Sequence, residues 1–154
     1  ITESCLPKKF IFFPLQVSTD TQIKINSDID NISAIALMLK KEILPIVVKP
    51  HPAEPDIDYF IKSISDNKER IFFSTENTYK LIKMSEKVIT INSTVGLEAM
   101  IFEKPVEFYG RSIFNEFNKN RLISYIHSHL IKIDFFNVKI NDFSKENIGR
   151  IYGE

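Results

Sequence analysis

Ile89-Thr90-Ile91-Asn92-Ser93-Thr94-Val95-Gly96-Leu97-Glu98-Ala99-Met100 runs an apolar strand into a polar turn and then into a helix. Val47-Val48-Lys49-Pro50-His51-Pro52 makes the same transition about forty residues earlier, its two prolines blocking both helix and ladder. In a parallel α/β sheet such turns gather along the edge at the strands' carboxyl ends, where ligands bind. A Lys and a His from one turn, with hydroxyls and free helix-start amides from the other, then meet around one anion.

Working outward, the same alternation continues in both directions. Phe10-Ile11-Phe12-Phe13-Pro14-Leu15 is a continuous apolar run, as in a strand buried on both faces. Gln16 to Ser27 is polar and reads as a loop. Asp30 or Asn31 can cap a helix with apolar positions Ile32, Ile35, Ala36, Leu39 and Ile43, and Lys40 and Lys41 suit its last turn. Pro45 to Lys49 is a second strand. Ile57, Phe60, Ile61 and Ile64 mark a helix, Arg70 to Ser74 a third strand, and Thr78 to Met84 a short helix. Lys87 to Ile91 is a fourth strand, Thr94 to Phe102 a helix, and Pro105 to Tyr109 a fifth strand ending at Gly110. Five strand–helix alternations with short links predict an α/β fold, a Rossmann-like, doubly wound parallel sheet. Beyond Gly110 the pattern is looser: a helix over Leu122 to Ile131, a strand or crossing over Phe135 to Ile140, and a terminal helix from Ser144 to Tyr152.

The 154 residues suffice for a single domain, 1–154, with a real core. Twenty basic and twenty acidic residues cancel, which removes any general electrostatic case for nucleic acid or an acidic membrane, so an anion site must be local. The single cysteine, Cys5, has no internal disulfide partner and fits a reducing compartment. No apolar run approaches the roughly twenty residues of a membrane helix. The first residues, Ile1 to Pro7, have neither an initiator Met nor the form of a signal peptide, so the chain reads as a piece of a longer protein. His127 and His129 have no acidic or cysteine cluster beside them, and neither a metal nor a cofactor is expected.

Each candidate residue has a functional and a plain reading. Ser93 and Thr94 can donate hydroxyls to a phosphate at a helix start, or serve as an ordinary cap. Gly96 admits close approach of a ligand, or of neighbouring packing. Glu98 can accept from ribose hydroxyls, or stand solvated in the first turn. Lys49 supplies charge, and His51, restrained by two prolines, suits contact with or proton donation to a leaving phosphate; the plain reading is a stiff, exposed turn. Gln16 and Asp20 follow the first strand on the same edge. Asp20 is a candidate nucleophile, base or partner for a sugar cation, or merely closes a turn, and Gln22 and Asn26 are too generic to assign.

Pro14-Leu15-Gln16-Val17-Ser18-Thr19-Asp20, Lys49-Pro50-His51-Pro52 and Asn92-Ser93-Thr94-Val95-Gly96-Leu97-Glu98-Ala99 stand in the order found in the capsular-polysaccharide synthesis family. The chain resembles that family, which includes bacterial β-Kdo transferases, over roughly its first 110 residues. The hallmark Gln-x-x-x-Asp and His-Pro are intact at Gln16/Asp20 and His51/Pro52. The resemblance implies one nucleotide-binding lobe of a two-lobed glycosyltransferase of the GT-B type, with a CMP-activated sugar such as CMP-Kdo as donor. It implies that Asp20 is the catalytic carboxylate, that His51 with Lys49 handles the cytidine phosphate, that Ser93 and Thr94 hold that phosphate, and that Glu98 binds the ribose. Gln16 and Gly96 join this donor set. The acceptor, a glycolipid or polysaccharide, would meet the other lobe. The expected location is the cytoplasm, at the inner face of the membrane in the full protein, and the isolated lobe is not expected to turn over. Two other readings stand beside this one. A CDP-glycerol-type polyol-phosphate transferase carries a similar His-Pro turn but usually an Asp-Tyr-Ser-Ser-like helix start. A non-catalytic module of capsule assembly or export would keep the fold and lose the site.

Overall fold

The computed structural model describes residues 6–17, 29–53, 57–64, 69–126 and 128. The expectations at Cys5, in the loop carrying Asp20, Gln22 and Asn26, at His127 and His129, and over 135–140 and 144–152 lie outside these residues. The chain divides into two compact units, Ile1–Asn115 and Glu116–Glu154.

In the first unit the order is β1 (Ile11–Pro14), α1 (Asn31–Lys41), β2 (Ile46–Lys49), α2 (Ile57–Ser63), β3 (Ile71–Phe73), α3 (Thr78–Met84), β4 (Lys87–Thr90), α4 (Val95–Ile101) and β5 (Val106–Phe108). The strands form one sheet in the order β3-β2-β1-β4-β5, every pair parallel. This is the doubly wound α/β arrangement that the sequence predicts.

Alternate strand residues feed two cores, one on each face. Ile11, Phe13, Ile46, Val48 and Ile89 pack with Ala34, Ile35 and Met38 of α1 and Phe60 of α2. Phe10, Phe12, Val47 and Val88 pack on the opposite face with Leu81 and Ile82 of α3 and Ala99 of α4. Both faces of β1 are therefore covered, which is why it reads as an unbroken apolar run. Phe10, Phe12 and Phe13 are fully buried, and each such side chain contributes roughly 1.5–3 kcal/mol by leaving water.

The buried stripe of α1 differs from the expected one. It runs through Asn31, Ala34, Ile35 and Met38. Ile43 lies beyond the helix and is 94 % exposed. Asp30 is the cap, accepting the Ser33 N–H at 2.7 Å, and this frees Asn31 to face inward. At the other end the Arg70 guanidinium donates to the Leu39 carbonyl at 3.0 Å and to that of Glu42, which stops the helix two residues short of Ile43.

In the second unit, α5 (Lys119–Tyr125) starts three residues before the expected Leu122. Asn118 caps it, its side chain accepting the Arg121 N–H at 2.9 Å. Phe117 and Tyr125 pack edge to face, 5.4 Å between ring centres. No helix among the described residues is long and apolar enough to cross a membrane.

Candidate functional site

The sheet order puts the change of winding between β1 and β4, so the ligand crevice of this fold opens at their carboxyl ends. Pro14 cuts the β1–β4 pairing short at that opening. The Ile11 and Leu15 N–H groups donate toward β2, to Pro45 and Lys49, whereas Phe10 accepts from Glu86 on the β4 side. By alternation Pro14 faces β4 and has no N–H to give. The β1–β4 register accordingly ends at Phe12–Val88, while β1–β2 continues to Pro14–Lys49.

Gln16 spans the gap. Its Nε2 donates to Asn92 Oδ1 at 2.5 Å, and its Oε1 accepts the Asn92 N–H at 2.9 Å and the Thr90 hydroxyl at 3.5 Å. Thr90, fully buried, in turn accepts the Ser93 N–H at 3.3 Å. The backbone of Gln16 is gripped by Asn31, whose side chain accepts its N–H at 3.2 Å and donates to its carbonyl at 2.7 Å. A buried Asn in α1 therefore has a reason: it fixes the exit of β1.

The start of α4 differs from the expectation of free amides. The Val95 N–H donates to Ser93 Oγ at 3.2 Å, and the Gly96 N–H to the Ser93 carbonyl at 3.0 Å. With the Asn92 and Ser93 amides also engaged, anion contacts here fall mainly to hydroxyls. Ser93 Oγ accepts from Val95 and keeps its proton to donate, and exposed Thr94 makes no side-chain cap bond. Gly96 is buried. A Cβ there would come closer than 3.0 Å to the Phe108 ring and 3.2 Å from Thr90 Cγ2. Its small size lets α4 lie close to the sheet beneath the turn.

Lys49 ends β2, and its Nζ donates to Thr78 Oγ1 at 2.9 Å. Burial lowers its pKa from the ordinary lysine value, while the charges of Glu76 and Glu98 act to raise it. Glu98 is only 6 % exposed, so Lys49 and a buried α4 carboxylate share one electrostatic environment. Glu76 itself is held to Lys80. His51 is exposed and its Nδ1 accepts the Ala53 N–H at 3.1 Å. In the neutral ring that places the proton on Nε2, pointing the donor away from its own turn.

The structure thus joins Gln16 to Ser93 through Thr90 and Asn92, and brings Lys49 within electrostatic reach of Glu98. The His51 ring bonds within its own turn. Asp20 lies outside the described residues. Asn31, Thr78, Thr90 and Asn92 hold the edge together and were not singled out from sequence. Thr78 follows β3 just as the singled-out residues follow β1, β2 and β4, so the edge rule applied to every strand would have found it. No group of three His, Cys, Asp or Glu side chains suited to a metal occurs among the described residues.

Residues 3–117 match the family model described as "Capsule polysaccharide biosynthesis protein". The chain is 28 % identical over 122 residues to the capsule polysaccharide modification protein LipB of Neisseria meningitidis, covering 70 % of this chain and 29 % of that one. It is 33 % identical over 116 residues to protein FixF of Sinorhizobium fredii, covering 69 % and 27 %. The chain therefore spans less than a third of the length of these curated relatives. Among solved structures it resembles KpsC of Thermosulfurimonas dismutans, a β-Kdo 2,7 transferase, with TM-score 0.55 and 28 % identity, over 72 % of this chain and 36 % of that one. A match over most of the sheet unit, in a fold that sets its Gln16, Lys49-Pro50-His51-Pro52 and Asn92-Ser93-Thr94 segments on one edge, means that this chain belongs to the capsule polysaccharide biosynthesis protein family.

Proposed function

We propose that this chain is the donor-binding lobe of a GT-B-type glycosyltransferase of capsule or surface-polysaccharide synthesis, and that its donor is a CMP-activated acidic sugar such as CMP-Kdo. The observation that carries this reading is that Lys49, at the end of β2, feels the charge of the buried Glu98 of α4, the helix that Ser93 and Thr94 lead into from β4. Membership of the capsule family and the likeness to a β-Kdo transferase support it. Lys49 and the Ser93 and Thr94 hydroxyls take the cytidine phosphate, and His51 donates to it from Nε2 as it leaves. Glu98 accepts from the ribose. Asp20 acts on the sugar carbon, and the acceptor is carried by a facing lobe.

Titration of the isotopically labelled chain with CMP tests this. Saturable amide shifts confined to Lys49, His51, Ser93 and Thr94 are expected, and Lys49→Met should weaken binding at least tenfold. A folded chain showing no shift at millimolar CMP would overturn the reading. Displacement of CMP by CDP-glycerol at equal or lower concentration would favour a polyol-phosphate donor instead.

A further inference from the structure

Gln16 stands in the donor set on resemblance, yet every polar group it carries is engaged by protein. Its N–H and carbonyl are bonded to Asn31 at 3.2 and 2.7 Å. Its side-chain oxygen takes the Asn92 N–H and the Thr90 hydroxyl, and its side-chain nitrogen donates to Asn92 Oδ1. These side-chain bonds use the carboxamide oxygen twice and one of its two N–H groups, and all of them join β1 to the end of β4 and the turn after it.

We propose that Gln16 is a positioning residue: its carboxamide staples the Asn92–Ser93 turn across the gap left by Pro14, and so fixes the Ser93 and Thr94 hydroxyls toward the donor's phosphate. The geometry supplies three steps. Pro14 ends the β1–β4 ladder early, because the parity facing β4 falls on a residue without an N–H. A backbone ladder would tie the two strand ends main chain to main chain; here the three-carbon side chain of Gln16 makes the tie instead. The staple then reaches the turn twice, directly at Asn92 and through Thr90 at Ser93. Ser93 in turn receives the Val95 and Gly96 amides, so the start of α4 is referenced to Gln16 through one unbroken chain of hydrogen bonds. Preorganisation of this kind acts on affinity by removing the cost of ordering the turn when ligand arrives.

The phosphate-holding part of the proposal rests on the donor-binding reading; the staple itself does not. Gln16→Met keeps length and removes all three side-chain bonds. In the unliganded chain, hydrogen exchange at the Asn92 and Ser93 amides should accelerate at least tenfold in Gln16→Met, with little change in the β2 and β3 amides. CMP should bind Gln16→Met about 5- to 30-fold more weakly, the effect of losing one or two hydrogen bonds, while cytidine without phosphate should bind as to the wild type. Asn92→Ala should cost affinity alone, and less than that in the Gln16→Met background. Additive losses in the double variant would mean that Gln16 touches the donor and would overturn the positioning role, as would unchanged amide exchange. If the wild-type chain ignores CMP, the donor reading falls, and the exchange measurement still decides whether Gln16 holds the turn.

Discussion

Lys49 Nζ donates to Thr78 Oγ1 at 2.9 Å, so the cation at the end of β2 is held to the first residue of α3. Lys49 has lost water, and Glu76 and Glu98 only partly offset that loss. Thr78 is thus the hydroxyl that fixes where this ammonium sits. Thr78→Val, nearly equal in size, is expected to lower CMP affinity about three- to tenfold, the worth of roughly one hydrogen bond. Calorimetric titration of the variant checks this, and its melting temperature should stay near that of the wild type.

Gly96 and Phe108 share one space. A methyl group at Gly96 falls within 3.0 Å of the ring, and the ring is itself packed on Phe114 at 5.9 Å. Gly96→Ala should therefore destabilise the first unit by about 1–2 kcal/mol. Overpacking costs about 1–3 kcal/mol, and the better helix propensity of Ala returns at most about 1 kcal/mol. Urea unfolding measures the loss. Adding Phe108→Leu, which vacates the space, should recover part of it; a purely additive double variant would rule out the steric cause.

The strand–helix alternation was legible because strands covered on both faces are plain apolar runs, as at Phe10 to Leu15, and each is followed by a polar turn. The doubly wound sheet followed from that alone. The α1 stripe was misplaced because a polar Asn31 occupies a buried position and an apolar Ile43 an exposed one. Periodicity counts side-chain polarity and cannot see that Asn31 is satisfied by the Gln16 backbone 15 residues away. The same limit hid the site's supports. Gln16 to Asn92 is a contact over 76 residues, and only the β1–β4 adjacency creates it. The free amides expected at the α4 start failed for a local reason: Ser93 turns back to cap Val95 and Gly96 itself.

Glu103 adopts φ 56°, the left-handed region, just past Phe102, the C-cap of α4. Its N–H donates to the Met100 carbonyl at 2.9 Å, and the Lys104 N–H to that of Ala99 at 3.0 Å, the paired bonds of a Schellman C-cap. A side chain at this position costs about 1 kcal/mol that glycine avoids. Glu103→Gly should raise stability by about 0.5–1 kcal/mol, read as a higher urea midpoint with an unchanged slope.

Tyr109 offers the pH-dependent test. Its hydroxyl is buried and finds no hydrogen-bond partner among the described residues. Burial, then the charges of Glu107 and Glu42, push its pKa from 10.0 up to about 12. The unfolded chain therefore releases this proton first, so the stabilisation is complete below pH 10 and is lost as pH rises toward 12. Lys87 acts in the same direction. Burial lowers its pKa, but its bonds to Glu107 at 2.6 Å and Glu42 at 2.9 Å more than offset this and raise it above 10.5. Its contribution is complete below that value and disappears above it. Tyr109→Phe removes this buried hydroxyl and keeps the ring beneath Lys41, whose Nζ lies 5.4 Å from the ring centre. It should raise stability at pH 7 by about 1 kcal/mol, the cost of leaving such a group unpaired. It should also flatten, without abolishing, the fall in urea midpoint between pH 10 and 12, since the Lys87 part remains. Ultraviolet titration of the wild-type chain should show one phenolate forming near pH 12 that is missing in Tyr109→Phe, and an unaltered titration curve would remove Tyr109 as its source.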